Sequence, residues 1–294
     1  MTEASGTDRE AFDYGIAFSR NIGWLKPDEQ QKLRRSRAAI AGLGGVGGGH
    51  LITLTRLGLG AFRIADFDRF AVHNFNRQIG ATMSSVGCEK AATLARMARD
   101  INPELDLQVF PGGVDDGNIG EFLDGVDIYV DGIDFFALPI RRKLFAECAK
   151  RGIPAVTAAP LGMGSALLVF LPGGMSFEQY FRLEGCDSFE QHARFIAGLS
   201  PAMPQRHYLV HPEAVNFEEH RGPSTIMACD LCSGILATEV LKILLGRGRI
   251  TAAPHGLHFD AYRQSLHRTW RPFGNANPLQ KLLLLLIRRR LRGL

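Results

Sequence analysis

Four glycines lie close together at a point where a phosphate-binding turn could form: Gly42, Gly44, Gly45 and Gly47. They separate a short apolar segment typical of a buried strand, 38–44, from a segment with helical character, 46–57. A backbone without side chains lets a phosphate group approach the unpaired N–H groups at a helix N-terminus. The glycines therefore predict that the chain binds a nucleotide.

The glycine spacing alone does not identify the nucleotide. The segment GLGGVG satisfies the dinucleotide pattern G-x-G-x-x-G, and Asp66 lies 19 residues beyond Gly47. An acidic residue at about this distance binds the ribose hydroxyls in dinucleotide-binding proteins. An NAD-dependent oxidoreductase therefore fits this part of the sequence as well as an ATP-dependent enzyme does.

Further polar residues that could line a nucleotide site follow the second and fourth predicted strands. In chain order they are Asp66 and Asp68, then Asn74, Arg77 and Gln78 in the stretch HNFNRQ, then Lys90, and finally Asp134 in the stretch DGID. A surface ion pair or a helix cap would account for any one of them. Together, and in register with the glycine turn, they indicate a functional site.

The segments that position these residues alternate between strand and helix. Strands are predicted at 38–44, 60–68, 106–110, 127–133, 154–159 and 164–172, and helices at 27–37, 46–57, 88–100, near 119, at 138–151 and at 227–245. Such alternation predicts a Rossmann-like, doubly wound α/β sheet with mostly parallel strands. Because ligands bind at the carboxyl ends of such strands, the glycine turn, the Asp66 and Asp68 pair and the DGID segment should meet in one cleft.

The pattern divides the chain into four stretches. They are an N-terminal helical arm at 1–37, the Rossmann-like nucleotide-binding core at 38–172, an insertion or crossover segment at 173–226, and a C-terminal helix, hairpin and basic tail at 227–294. The part from 173 to 223 is predicted to be irregular, because prolines, histidines and mixed charge replace the alternation. The hairpin, 256–270, should extend the sheet of the same domain with antiparallel strands.

The order and spacing of these residues resemble the MoeB/ThiF/HesA family, relatives of the ubiquitin-activating enzymes. Members carry a glycine loop, an Asp-x-Asp after the second strand, an Asn-apolar-x-Arg-Gln stretch, a lysine, and an Asp after the fourth strand. The chain matches all of them: Gly42 to Gly47, Asp66 with Asp68, Asn74 to Gln78, Lys90 and Asp134. The resemblance covers about 20–172 and 227–270.

The resemblance implies an ATP-dependent adenylyltransferase that activates the C-terminal carboxylate of a ubiquitin-like or sulfur-carrier protein ending in Gly-Gly. Forming an acyl-adenylate concentrates negative charge at the phosphates, which the enzyme must position and neutralise. By resemblance, Asp66 holds the ribose hydroxyls, Arg77 and Lys90 contact the phosphates, and Asp134 coordinates Mg²⁺. The remaining nucleotide-binding positions are the four glycines, Asp68, Asn74 and Gln78. Arg20 in FSRNI is similar to the family's N-terminal arginine, which reaches the nucleotide of the other subunit in a homodimer.

Other acceptors and other functions stay open. Some relatives adenylate a peptide, and others a tRNA-borne carboxylate, as in cyclic threonylcarbamoyladenosine formation. An NAD-dependent oxidoreductase is a further alternative, as is a family member that binds a partner without catalysis. The intact Arg77, Lys90 and Asp134 argue against the last of these.

The cysteines suggest where the chain departs from its relatives. Many relatives hold a structural zinc ion with two C-x-x-C pairs. This chain has one such pair, Cys229 and Cys232, so no zinc is expected. Some relatives transfer the activated carboxyl to a cysteine in the loop after the sheet, and Cys186 lies in a comparable region. Cys186 is therefore a candidate nucleophile, a redox role is an alternative for the pair, and inert buried thiols are the simplest interpretation.

Composition and the termini limit the remaining possibilities. The 294 residues are 46% hydrophobic and 22% charged, which predicts a globular protein with a sizeable core. Irregular cysteine spacing and an N-terminus unlike a signal peptide predict a cytoplasmic protein. The longest apolar run, 282–287, is too short for the roughly 20 residues of a transmembrane segment.

Two groups of side chains in the C-terminal half receive no assigned role. His192, His207, His211 and His220 lack metal-ligand spacing. A basic tail follows, with Lys281, Arg288, Arg289, Arg290 and Arg292. Such a tail could contact acidic protein, nucleic acid or lipid head groups, although a solvated helix end is the simpler interpretation and nucleic acid is not favoured.

Overall fold

The computed structural model describes residues 11–215 and 222–291, so His220 and Arg292 lie outside the described residues. The strands are β1 (Arg37–Ala41), β2 (Ala61–Ala65), β3 (Asp106–Phe110), β4 (Ile128–Asp131), β5 (Ala155–Leu161), β6 (Gly164–Phe170), β7 (His255–Asp260) and β8 (Ser265–Trp270). All eight belong to one sheet, in the order β3-β2-β1-β4-β5-β6-β7-β8.

The sheet is parallel from β1 to β5 and antiparallel beyond β5. β1 lies between β2 and β4, and β3 and β5 continue the parallel part on either side. β6, β7 and β8 then follow as antiparallel neighbours. The predicted Rossmann-like α/β fold, with a mostly parallel sheet and an antiparallel C-terminal extension, is confirmed.

Ten α-helices within the described residues accompany the sheet. They are α1 (Tyr14–Ala17), α2 (Pro27–Arg35), α3 (Gly47–Leu57), α4 (Lys90–Ile101), α5 (Ile119–Phe122), α6 (Leu138–Arg151), α7 (Phe177–Phe181), α8 (Ser188–Leu199), α9 (Ile226–Leu245) and α10 (Pro278–Leu291). None of these helices has both the length and the apolar character needed to span a bilayer.

Each face of the sheet has its own hydrophobic core. Side chains of a strand point alternately to the two faces. In β1, Ile40 therefore joins a core with apolar residues of α3, α4 and α9, whereas Ala39 and Ala41 join a second core with residues of α6, α7 and α8. The helix after β1 and the helix after β4 thus rest on different cores.

The stretch from 173 to 223 contains more regular structure than the sequence predicted. The Ser176 side chain accepts a hydrogen bond from the Gln179 N–H at the start of α7, and Asp187 accepts one from the Glu190 N–H at the start of α8. Their buried aromatic side chains join the second core: Phe177, Tyr180, Phe181 and Phe195. The prediction of an irregular stretch was wrong here, because both helices are capped and their buried aromatic side chains pack in the second core.

Two histidines are buried in positions that disfavour their protonation. His50, on α3, is fully buried, and neither of its ring nitrogens has a hydrogen-bond partner among the described residues. Loss of hydration lowers the pKa of His50 to about 3. Burial also lowers the pKa of His258, in β7, to about 4, although the nearby Asp260 opposes this shift. Both rings are therefore neutral at neutral pH.

We expect the free energy of unfolding to fall as the pH decreases from about 6.5 toward 3. In this window His50 and His258 bind protons in the unfolded chain but resist protonation in the folded one. Each histidine can contribute up to about 1.4 kcal/mol per pH unit. His50→Leu should reduce this slope, whereas His255→Leu, at an exposed position, should not. Urea unfolding at a series of pH values measures the slope, and an unchanged slope in His50→Leu would contradict the expectation.

Candidate active site

Three glycines pack backbone against backbone where β1 and β4 end. Gly42 follows β1 with a φ of 80°, a left-handed conformation that favours glycine. A Cβ atom on Gly42 would overlap the carbonyl group of Gly132, and one on Gly132 or Gly47 would overlap the carbonyl oxygen of Gly42. The turn between β1 and α3, which we call the glycine turn (42–47), is thereby held against the DGID segment.

Gly44 and Gly45 face side chains rather than backbone. A Cβ atom on Gly44 would lie 3.7 Å from Nε2 of Gln78, and one on Gly45 would lie 3.6 Å from Cγ and Cδ of Arg77. The same Gly45 position lies 3.3 Å from Sγ of Cys229. The structure therefore brings Arg77, Gln78 and the beginning of α9 to the glycine turn.

Asp66 fastens the glycine turn to the end of β2. Its Oδ2 accepts a hydrogen bond from the Leu43 N–H at 2.6 Å, and its Oδ1 accepts one from the Asp68 N–H at 2.8 Å. Partial burial raises the pKa of the Asp66 carboxyl, while these hydrogen bonds and the nearby Lys90 act in the opposite direction. Since each carboxylate oxygen can accept a further hydrogen bond, Asp66 can still receive donors from a ligand.

Lys90 begins α4 and is paired with Asp68. Its Nζ lies 2.9 Å from Oδ2 of Asp68, and its backbone N–H donates to the Asp68 carbonyl at 3.0 Å. The Lys90 side chain is only 6% exposed, whereas that of Asp68 is 54% exposed. An ammonium group has three donors, so Lys90 keeps further donors beyond the one that it gives to Asp68.

Asn74 organises the short turn that presents Arg77 and Gln78. Its Oδ1 accepts from the Ala71 N–H at 2.9 Å, and its carbonyl accepts from the N–H groups of Arg77 and Gln78 at 3.1 and 2.9 Å. The buried Oε1 of Gln78 has no hydrogen-bond partner among the described residues. Gln78 therefore places its Nε2 donor beside Gly44, while its Oε1 is a buried acceptor without a partner in the described part of the chain.

The segment leading into α9 is tied to the same turn. Nδ2 of Asn76 donates to the carbonyl of Ser224 at 3.0 Å, while Oδ1 of Asn76 accepts from Nη1 of Arg77 at 2.9 Å. The hydroxyl of Ser224 lies 3.8 Å from Sγ of Cys229. These contacts connect the N-terminal end of α9 to the side chains above the glycine turn.

A buried ion pair holds the DGID segment. Nε of Arg141, on α6, donates to Oδ2 of Asp131 at 2.9 Å, and both side chains are almost completely buried. The same guanidinium donates to the carbonyl oxygens of Ile133 and Asp134. Asp134 itself is exposed, and its Oδ1 accepts from the Phe136 N–H at 2.9 Å. Arg141 thus fixes the backbone that carries Asp134.

Asp134 has a carboxylate whose surroundings fit a magnesium ion held together with phosphate oxygens. No cluster of three or more His, Cys, Asp or Glu side chains suited to a metal occurs in the described part of the chain. Mg²⁺ at nucleotide sites usually takes one or two carboxylates together with phosphate oxygens. A single exposed carboxylate whose Oδ2 makes no hydrogen bond within the described structure fits this kind of ion.

Arg20 lies far from the glycine turn of its own chain. It is exposed in a short 3₁₀ turn, next to Asn21, whose Nδ2 donates to the carbonyl of Leu57. Leu57 ends α3 and Gly47 begins it, so the length of this helix, about 15 Å, separates the two regions. The Arg20 side chain makes no hydrogen bond or ion pair with another residue that the structure describes. The structure therefore does not bring Arg20 to the other candidate residues of its chain.

Cys186 and the pair Cys229 and Cys232 lie in different environments. Cys186 precedes α8, with its thiol 3.7 Å from the carbonyl of Arg182. Cys229 and Cys232 are buried in α9, and burial raises the pKa of both thiols. A raised pKa disfavours the thiolate form that acts as a nucleophile or metal ligand. The role of Cys186 as a nucleophile stays a prediction.

Arg141 was not among the residues that the sequence singled out. A signal was present, because Arg141 occupies the helical stripe whose other members are buried: Leu138, Leu144, Phe145 and Cys148. A charged side chain in such a stripe must find a partner when the helix packs. The sequence singled out Cys229 only as a member of the C-x-x-C pair, and its contact with Gly45 could not be predicted because it depends on how α9 packs across the sheet.

The chain matches the ThiF family over residues 18–281, and it therefore belongs to that family. The family predicted from the motif order is confirmed.

Three curated relatives show the range of named activities. The SAMP-activating enzyme E1 of Haloferax volcanii is 30% identical over 166 residues, which are 56% of this chain and 61% of the relative. The tRNA threonylcarbamoyladenosine dehydratase of Escherichia coli is 36% identical over 133 residues, 45% of this chain and 49% of the relative. The sulfur carrier protein adenylyltransferase of Thermus thermophilus is 27% identical over 242 residues, 82% of this chain and 81% of the relative. The chain thus spans 61% and 49% of the length of the first two relatives.

Two solved structures share the fold. Escherichia coli MccB, determined with ATP, superposes with a TM-score of 0.64 at 17% identity, covering 86% of this chain and 70% of MccB. The tRNA N6-threonylcarbamoyladenosine dehydratase TcdA of Escherichia coli gives a TM-score of 0.58 at 22% identity, covering 79% of this chain and 95% of TcdA. At these identities the likeness establishes a common architecture.

We expect Arg141→Met to lower the free energy of unfolding by about 3–5 kcal/mol, because Asp131 would remain as an unpaired buried carboxylate. The neighbouring Arg142 provides a matched control, since it pairs with Glu178 at 2.8 Å where both side chains are partly exposed. Arg142→Met should cost about 1 kcal/mol or less. Urea unfolding of both variants makes the comparison. If both variants lose the same free energy of unfolding, the ion pair between Arg141 and Asp131 does not hold the DGID segment.

Proposed function

We propose that this protein is an ATP-dependent adenylyltransferase that activates a carboxylate as an acyl-adenylate. The proposal rests on one observation: in a ThiF-family chain, Arg77 lies beside a glycine turn at the carboxyl ends of parallel strands. Lys90 is paired with Asp68, whose N–H donates to the Asp66 carboxylate that holds this turn. The name of the Thermus thermophilus relative supports the same chemistry. An NAD-dependent oxidoreductase would bind a dinucleotide at such a turn but has no need of these two cations.

Adenylation joins a carboxylate oxygen to the α-phosphorus of ATP and releases pyrophosphate, so negative charge accumulates on the phosphoryl groups in the transition state. Free donors of Arg77 and Lys90 would neutralise this charge, and the N–H groups of the glycine turn would bind the phosphates. Asp66 would accept hydrogen bonds from the ribose hydroxyls while it holds Leu43 in place. These groups are positioned before the nucleotide arrives, which is what electrostatic catalysis requires.

The other candidate residues would act mainly by positioning. Asp68 would hold the Lys90 ammonium in place through their ion pair. Asn74 would fix the turn that carries Arg77. The side-chain amide of Gln78, whose Nε2 faces Gly44, would donate a hydrogen bond to the nucleotide.

Asp134 would hold Mg²⁺ together with the ATP phosphates. The ion, when bound, would supply positive charge to the phosphate oxygens. The chain contributes a carboxylate whose backbone is fixed by Arg141 and whose Oδ1 is oriented by the Phe136 N–H.

We propose that the acceptor is the C-terminal carboxylate of a ubiquitin-like or sulfur-carrier protein that ends in Gly-Gly. The support is the match to a relative named as a sulfur carrier protein adenylyltransferase, which extends over 82% of this chain. A tRNA-borne carboxylate is the second candidate, supported by the 36% identity to a tRNA threonylcarbamoyladenosine dehydratase over a shorter region. A peptide carboxylate is the third.

We also propose that the active form is a homodimer in which Arg20 reaches the nucleotide of the other subunit. Arg20 is exposed, has no partner among the described residues, and is about one α3 length from its own glycine turn. An arginine from a neighbouring subunit could complete the positive charge around the phosphates.

We expect the chain to catalyse Mg²⁺-dependent exchange of pyrophosphate into ATP when a Gly-Gly-ending carrier protein is present. Lys90→Ala should reduce this exchange by about 10²–10³-fold, the typical effect of removing a group that stabilises transition-state charge. Lys143→Ala is the control, because Lys143 forms an exposed ion pair with Asp116 and should leave exchange unchanged.

The acceptor decides how the exchange result is interpreted. If exchange requires a tRNA-borne carboxylate or a peptide, the proposed adenylation stands, but the acceptor is that carboxylate and not a carrier protein. Hydride transfer to NAD without any exchange would contradict the proposal.

We expect Arg20→Ala and Lys90→Ala to be nearly inactive separately but to recover exchange when their subunits are mixed. A mixed dimer has one site with an intact Lys90 that receives the intact Arg20 of the other subunit. Recovery is measured after unfolding and refolding the two variants together, with each variant refolded alone as the control. Full activity of Arg20→Ala alone, or no recovery in a mixture shown to contain mixed dimers, would contradict the assignment.

A further inference from the structure

His192, to which the sequence assigns no role, lies against the chain that follows Asp134. It belongs to α8, its side chain is buried, and its Nε2 is 3.3 Å from the carbonyl oxygen of Phe136. Because a carbonyl oxygen only accepts hydrogen bonds, the imidazole donates from Nε2. The chain just after the DGID segment is therefore held from α8, whereas Arg141 holds the segment itself from α6.

Phe136, which His192 contacts, is also the residue that orients the Asp134 carboxylate. The Phe136 N–H donates to Oδ1 of Asp134 at 2.9 Å. The Phe136 carbonyl also accepts from the N–H of Leu138 at 2.9 Å, where α6 begins. A contact that fixes this carbonyl limits rotation of the Phe136 backbone, so it also limits movement of the N–H relative to Asp134.

Aromatic rings hold the imidazole of His192 in a defined orientation. Its centroid is 5.9 Å from that of Phe135, in a stacked arrangement, and 5.3 Å from that of Phe136. Three residues further along α8, the ring of Phe195 lies 5.2 Å from that of Phe135 and 4.8 Å from the guanidinium carbon of Arg141. The direction in which Nε2 donates is therefore set by packing.

Packing alone does not account for a histidine at this position. A phenylalanine would fill the space among these rings without the cost of burying polar nitrogens. An imidazole offsets this cost through the hydrogen bond that it donates to Phe136. We propose that His192 is a positioning residue for the magnesium site, which keeps the Asp134 carboxylate turned toward the ion through the backbone of Phe136. The inference rests on the proposed role of Asp134 in holding Mg²⁺ with the ATP phosphates.

Two measurements that need no catalysis test this inference on the full chain. The first is equilibrium binding of a nonhydrolysable ATP analogue at a series of Mg²⁺ concentrations. In His192→Phe, the Mg²⁺ concentration that gives half of the full enhancement of binding should rise about three- to tenfold, as expected for one lost hydrogen bond, with unchanged affinity in the absence of Mg²⁺. The second is amide hydrogen exchange of the peptide 132–138, followed by mass spectrometry, which should be faster in the variant because the Phe136 N–H is less protected.

Further substitutions separate the hydrogen bond from the ring. His192→Gln returns an amide N–H at a comparable distance from the backbone and should bring both measured values back toward those of the wild type. His192→Asn has a shorter amide that does not extend as far, so it should behave as His192→Phe does. His255→Phe is the matched control, because the ring of His255 also stacks on an aromatic side chain, that of Trp270. His255 begins β7, at the edge of the sheet opposite the glycine turn.

Several outcomes would overturn the proposal. Wild-type values in His192→Phe for both measurements would show that a ring suffices at this position. Weaker binding of the analogue by the same factor with and without Mg²⁺ would assign His192 to the general packing of the cleft. Values in His192→Gln that stay equal to those of His192→Phe would mean that the donor is not the cause.

Failure of the proposed function gives a different result. If the wild type binds the analogue equally with and without Mg²⁺, Asp134 is not a magnesium ligand and the role of His192 is contradicted with it. If Mg²⁺ enhances binding but no pyrophosphate exchange occurs with any acceptor, the proposed adenylation is contradicted, and the two measurements still decide whether His192 positions Asp134.

Discussion

The candidate site depends on the contact between the backbones of Gly42, Gly47 and Gly132. Because none of the three can carry a side chain there, the turn after β1 lies directly against the chain leaving β4. Asp66 then fixes this turn from the side of β2. The glycine turn and the segment after β4 thus form a fixed backbone surface beside which Arg77 and the other polar side chains lie. Because this surface is preorganised, binding a ligand does not incur the cost of ordering these groups.

The polar groups around this surface hold one another. Lys90 is paired with Asp68, Arg77 is tied to Asn76, and Arg141 binds Asp131. Each cation therefore has a carboxylate or amide partner that keeps its side chain oriented. These side chains do not have to be ordered when a ligand binds. The outlying position of Arg20 contrasts with this arrangement and is the reason why a second subunit enters the proposed function.

Much of the parallel half of the fold could be predicted, because short apolar strands and the helices between them leave a local pattern. The strand at 106–110 and the helix at 138–151 have the bounds that the pattern predicted. That the carboxyl ends of the parallel strands meet at one edge of the sheet follows from the topology alone. Side-chain pairing could not be predicted, since several acids precede Arg141 in the chain and only packing selects Asp131. The helices α7 and α8 were missed although Ser176 and Asp187 cap them locally, because the burial of their aromatic residues is a tertiary interaction.

The separate cores on the two faces of the sheet have a consequence for inherited variation in this protein. The glycine turn leads into α3, which rests on one core, whereas the DGID segment leads into α6, which rests on the other. A packing defect confined to either core can therefore tilt one half of the cleft relative to the other while most of the chain stays folded. Loss-of-function alleles should thus include positions that never approach a ligand, and distance from the cleft is a poor guide to their severity.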